Sequence, residues 1–184
     1  MKRLYQTLLD QIQKLELPEH YSSKQLAIRF MQAFALEQAS SCPRRQFGAI
    51  LLNHQTNTIL SDGYNGAPRG GSKLCGGNHS CERETKGIRS GTYLEIGCHH
   101  AEANAILNAA SNGISTHGAT LLVTGEPCLQ CAKLIHHAQL QAVLYLPGQY
   151  TQHNGINYLQ DHGVQTYPIQ LQNDGTTEDQ DDAG

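Results

Sequence analysis

His100-Ala101-Glu102 and Pro127-Cys128-Leu129-Gln130-Cys131 constrain this chain more than any other part of it. One imidazole and two thiols supply three protein ligands, which suits a tetrahedral Zn²⁺ whose fourth position stays open. The carboxylate two residues after the histidine is placed to move protons rather than to bind metal. Ala101 to Ala110 is rich in helix formers, and Pro127 to Ala138 reads as a second helix opening at proline, which a first helical turn tolerates. Cys128 and Cys131, three apart, are expected to share one face of that helix. Two helix N-termini then converge on one ion, where their dipoles favour thiolate and hydroxide. A closed structural zinc, or an ordinary polar His100, is the competing reading. The strand-like Ala119 to Thr124 between the two motifs argues against it.

A second ligand-rich group is less regular. Cys42, Cys75, Cys81 and Cys98 remain, with His79 and His99 beside them. Three of these cysteines fall around a Gly-rich stretch, residues 66–97, that is too long for a plain loop and has little apolar periodicity. A structural zinc on the four cysteines, with His79 or His99 as substitutes, would hold that insertion. Free or buried thiols are the alternative.

The 184 residues suffice for one globular domain with a sizeable core. The net charge of −3 comes without a basic run. This speaks against a large nucleic-acid footprint. No apolar run reaches the length of a membrane span, and no leader is apparent at Met1 to Leu17. Cysteines in such a chain read as thiolates and ligands, and the expected location is cytoplasmic.

Apolar spacing predicts the elements. Leu4, Leu8, Ile12 and Leu15 mark an amphipathic helix over residues 3–16, ended by Pro18. Ser22-Ser23 can cap a helix running to about Gln38, with Leu26, Phe30, Ala33, Phe34 and Ala35 expected inside. Strands are expected at Phe47 to Leu52, Thr58 to Tyr64, Ala119 to Thr124, Ala142 to Leu146 and Val164 to Pro168, with a helix near Ile156 to Asp161. Strands alternating with helices imply a mixed α/β sheet covered by helices. The expected organisation is an N-terminal helix (1–20), one domain (21–172) and a disordered acidic tail (173–184).

The H-x-E and P-C-x-x-C pair is the signature of zinc nucleobase deaminases. Further pieces resemble the bacterial and phage deoxycytidylate deaminases of the cytidine deaminase superfamily. These are Ser41-Cys42-Pro43-Arg44-Arg45-Gln46-Phe47-Gly48-Ala49, Gly63-Tyr64-Asn65-Gly66-Ala67-Pro68-Arg69-Gly70, the Cys75/Cys81 insertion, Cys98, and Cys131-Ala132-Lys133. The resemblance runs from about Lys24 to Pro168. It implies a three-layer α/β/α cytidine-deaminase-like fold with a mixed five-stranded sheet and a zinc-pinned insertion. It implies conversion of dCMP to dUMP and ammonia, supplying dUMP for thymidylate synthesis. It also implies a homo-oligomer, commonly a hexamer, activated by dCTP with Mg²⁺ and inhibited by dTTP.

The implied catalytic residue is Glu102, shuttling protons between water, the ring nitrogen and the leaving ammonia. Asn65 matches a sugar-reading position, and an amide can both donate and accept there. Ser41 and Arg44 match the phosphate side, where a guanidinium binds in bidentate fashion. Tyr150 matches a residue lining the nucleotide pocket. Leu74, Glu126 and His99 depart from the common pattern. A tRNA adenosine deaminase is one alternative, although the chain lacks the basic rim that such a substrate wants. A catalytically silent zinc-binding relative of the kind found with DNA-uptake genes is the other, and Glu102 argues against it.

Overall fold

The computed structural model describes residues 1–67, 80–88, 97–148 and 153–171. Its centre is a five-stranded sheet in the order β2-β1-β3-β4-β5. The strands are β1 (Gly48–Leu52), β2 (Ile59–Tyr64), β3 (Thr120–Val123), β4 (Ala142–Tyr145) and β5 (Gln165–Pro168). β1 runs antiparallel to both β2 and β3, whereas β3, β4 and β5 are parallel, so the sheet is mixed. The three central strands are short and, apart from Thr120, apolar, and they are buried throughout, as expected of strands covered on both faces.

Alternation sorts the side chains of the sheet into two cores. Ile50, Leu52, Leu122 and Leu144 face α1 (Lys2–Ile12) and α2 (Ser23–Glu37), meeting Leu8, Ile12, Leu26 and Phe30. Ala49, Leu51, Leu121, Val123 and Val143 face the opposite layer of α4 (Ala101–Ser111), α5 (Leu129–His137) and α6 (Asn154–Asp161). The short α3 (Glu82–Thr85) lies within the insertion. The result is the three-layer α/β/α arrangement. α5 and α6 are the crossovers joining parallel β3 to β4 and β4 to β5, which places both on one face.

Several boundaries differ from expectation. α1 stops at Ile12 and continues as turns through residue 15. α2 is capped by Ser22, whose side chain accepts from Gln25 N, and its buried stripe is Leu26, Ala27, Phe30 and Ala33. Phe34 is only half-buried and Ala35 is exposed. At 100° per residue Ala35 lies some 200° from Ala33, so it cannot share the face that meets the sheet. The tail, residues 173–184, lies outside the described residues, as do Cys75, His79 and Tyr150. Among the described residues no helix is long and apolar enough to cross a membrane.

α4 is docked on the edge strand β2 by side chains reaching the strand backbone. Asn104 Nδ2 donates to Tyr64 O at 2.7 Å, and Asn108 Nδ2 donates to Asp62 O at 2.8 Å. In the other direction Ser61 Oγ donates to Ala105 O at 2.7 Å. Edge-strand carbonyls are thereby satisfied by a helix rather than by another strand. Gly63 allows the close approach: a β-carbon there would overlap Ala101 O and Ala105 N. Gly63→Ala is therefore expected to push α4 outward and cost about 1–3 kcal/mol, the usual range for overpacking. Urea unfolding of the two proteins measures it, and an unchanged midpoint would remove Gly63 from this role.

Candidate active site

The register aligns one edge of the sheet. Gly48 pairs with Tyr64, Ala49 with Val123, and Val123 with Tyr145. The start of β1 and the ends of β2, β3 and β4 therefore meet there, and the two motifs follow from that edge. His100 is the N-cap of α4 and Cys128 is the N-cap of α5, both in extended backbone conformation. Neither side chain is spent on capping its own helix, so both are available to face one another. Cys131 sits one turn into α5. The sequence expectation that Cys128 lies on the helix face is corrected here: Pro127 and Cys128 precede the first helical residue, Leu129. An i, i+3 spacing fits either arrangement, because an N-cap residue lies one turn below N3.

His100 Nδ1 lies 3.4 Å from Cys128 Sγ and 3.4 Å from Cys131 Sγ. Bond lengths of roughly 2.0–2.1 Å to nitrogen and 2.3 Å to sulfur at a tetrahedral angle place such ligand atoms about 3.5 Å apart. The triad thus has the His–Cys separations and the N/S/S donor set that zinc takes. It is the sole group of three His, Cys, Asp or Glu ligand atoms within 4.8 Å of one another among the described residues. Hydrogen bonds from the Cys131 thiol and the His100 ring pull the Cys128 thiol down to about 4, against the opposing effect of its burial. The same hydrogen bond between the two sulfurs, with burial, pushes Cys131 up. A thiolate at the N-terminus of α5 is the form that binds metal.

Glu102, two residues into α4, is buried, with 6 % of its surface exposed. Burial raises the pKa of its carboxyl group, the His100 ring opposing this in part. Its side chain also hydrogen-bonds with Cys131, so the carboxyl group stands beside the ligand triad. A buried carboxyl group next to a three-ligand centre can both accept and return a proton.

The remaining predicted residues are distributed unevenly. Asn65 follows β2 and binds the segment before β1. Its Oδ1 accepts from Ser40 Oγ and Phe47 N, each at 2.8 Å, and its Nδ2 donates to Arg45 O at 2.8 Å. The amide thus staples residues 40–47, leaving one N–H of Nδ2 for another partner. Ser41, on that stapled loop, is exposed and neighbours Gly66. Arg44 forms an ion pair through Nε with Glu84 of α3 at 2.9 Å, which ties the loop to the insertion.

Cys81 is buried, while Cys42 and Cys98 are half-buried, and none of the three is in a disulfide. They do not gather into a three-ligand group with one another. His99 instead uses its backbone, in a two-bond bridge with Gly66, and its ring faces Asn104 Oδ1 at 3.3 Å. That bridge fixes the strand-like approach to His100.

Ser40, Asn104 and Asn108 were missed by sequence reasoning. The two asparagines, four apart in an otherwise alanine-rich helix, were the available signal.

Comparison with known proteins agrees with this geometry. Residues 23–147 match the cytidine and deoxycytidylate deaminase zinc-binding region. The deoxycytidylate deaminase of Pongo abelii is 35 % identical over 136 residues, covering 74 % of this chain and 67 % of that protein. ComE operon protein 2 of Bacillus subtilis is 31 % identical over 140 residues, covering 76 % and 68 %. The crystal structure of dCMP deaminase from the cyanophage S-TIM5 in complex with dCMP and dUMP superposes with a TM-score of 0.65 at 29 % identity, covering 81 % of this chain and all of that one. With its zinc-binding region spanning most of its length, this chain belongs to the cytidine and deoxycytidylate deaminase family.

Proposed function

We propose that the protein hydrolyses dCMP to dUMP and ammonia, with His100, Cys128 and Cys131 holding a catalytic Zn²⁺ and Glu102 as the proton carrier. The observation that carries this reading is the buried Glu102 carboxyl group beside a 3.4 Å His/Cys/Cys triad. The relatives named for deoxycytidylate deamination support the choice of substrate. Zinc in that position supplies Lewis acidity, which brings the pKa of a water toward about 7. Glu102 would take one proton from that water and give it to the ring nitrogen beside the amino-bearing carbon, while the water oxygen bonds to that carbon, whose bond to the amino group then breaks. It then carries the second proton to the departing amino group, which leaves as ammonia.

In this proposal Asn65 reads the sugar through its remaining N–H. Ser41 and Arg44 serve the phosphate, and Tyr150 lines the pocket. A second zinc on Cys42, Cys75, Cys81 and Cys98, with His79 or His99 as substitutes, requires the sulfurs of Cys42, Cys81 and Cys98 to draw together on binding. Two zinc ions per chain in metal analysis supports it, and one refutes it. Regulation by dCTP with Mg²⁺ and by dTTP, assembly as a homo-oligomer with a hexamer favoured, and a cytoplasmic site of action complete the reading.

Side-by-side assays of dCMP, cytidine and an anticodon stem-loop test the substrate. dCMP is expected to be turned over at least about a hundredfold more efficiently than cytidine, because a charge-assisted phosphate contact is lost with the nucleoside. Ammonia from the RNA alone would overturn the proposal. Adding dCTP or dTTP to the dCMP assay tests the regulation.

A further inference from the structure

Glu126 lies two residues before Cys128 and is not one of the groups that the reaction uses. Its side chain is fully buried, a placement that ionisable residues take only with partners. Oε1 accepts from His153 Nδ1 at 2.7 Å, and Gly148 N approaches Oε2 at 3.5 Å, the long limit for such a bond. His153 is the N-cap of α6, yet its ring does not cap that helix. It stands in the left-handed region at φ 47°, which is uncommon for residues with a β-carbon, histidine being among those that take it more readily. Its ring is instead committed to Glu126.

Two residues further on, Gly155 lies flush on the metal-ligand segment. A β-carbon there would overlap Pro127 O and crowd the carbonyl group of Cys128. The first turn of α6 therefore touches the Glu126–Cys128 segment twice. It holds the Glu126 side chain through His153, and it seats the Pro127–Cys128 backbone against Gly155. Between these contacts Pro127 has a fixed φ. Few degrees of freedom remain for the direction in which Cys128 presents its sulfur.

We infer that Glu126 and His153 are positioning residues for the ligand Cys128: their hydrogen bond locks α6 against the Pro127–Cys128 backbone and sets the approach of the sulfur to the metal. The inference rests on the zinc reading above. Outer partners that orient a metal ligand typically change metal affinity by about 10–100-fold when they are removed. His153 is half-exposed, so its replacement leaves the core intact.

The test measures zinc affinity by chelator competition, and the sulfur-to-metal absorption of the Co²⁺-substituted protein, in wild type, Glu126→Ala, His153→Ala and His153→Asn. Thermal unfolding of each metal-free protein is recorded alongside. Both alanine variants are expected to bind zinc about tenfold or more weakly and to show a shifted Co²⁺ spectrum. His153→Asn keeps an N–H donor and tolerates the left-handed backbone, so it should restore most of the affinity. Should Glu126→Ala fail to fold, the two exposed His153 variants decide. Zinc affinity and spectrum unchanged in His153→Ala, even with lowered metal-free stability, would overturn the inference. A wild-type protein that binds no zinc would instead sink the functional reading on which it rests.

Discussion

Glu102→Gln is expected to retain zinc and to lose about a thousandfold in kcat on dCMP, within the range of roughly 10²–10⁴ that a positioned acid–base group contributes. Glutamine matches glutamate in shape and still fills the buried space beside the triad. It cannot accept a proton from water at neutral pH, and so it cannot deliver one to the ring nitrogen or to the leaving amino group. Because Glu102 is not a ligand in this reading, the His/Cys/Cys set remains whole and metal content should stay at the wild-type level. Ammonia release under saturating dCMP, with zinc measured on the same preparation, checks both halves. A variant within tenfold of wild-type kcat would mean that the proton travels by another route.

Removing Cys128 should have an equal effect by a different cause. Cys128→Ala leaves one imidazole and one thiol, too few to hold zinc in a tetrahedral site. Zinc affinity should fall by more than the roughly 10–100-fold seen for outer partners, and turnover should vanish with the metal. Cys128→Ser is expected to behave almost as badly, since a hydroxyl is a poorer zinc ligand than a thiolate. Equilibrium dialysis against a chelating buffer, followed by metal analysis and a dCMP assay, separates this outcome from Glu102→Gln, which should keep its zinc. Full zinc occupancy in Cys128→Ala would contradict the ligand assignment.

Much of the fold was visible in local pattern. Short apolar runs such as Ala49 to Leu52 and Leu121 to Val123 read as strands, and their alternation with helical segments implied the layers. The element ends were less visible, because cap geometry depends on what the chain meets next. Cys128 illustrates the point. Its spacing to Cys131 is the same whether it begins the helix or caps it; in the fold it caps α5, on a segment that Gly155 of α6 packs against. Asn65 shows the limit from the other side. A motif marks the residue, yet the work of its carbonyl oxygen, accepting from Ser40 and Phe47, depends on two segments about twenty residues away.

From the residues alone came the ligand chemistry, an imidazole and two sulfurs with an acid beside them, because donor type and short-range spacing are properties of the chain itself. Tertiary structure alone decided that Gly63 lets α4 lie against β2, that His99 bridges Gly66, and that Glu126 reaches His153. These pairs are separated by tens of residues, and what brings them together is sheet register and close packing, which no local propensity encodes.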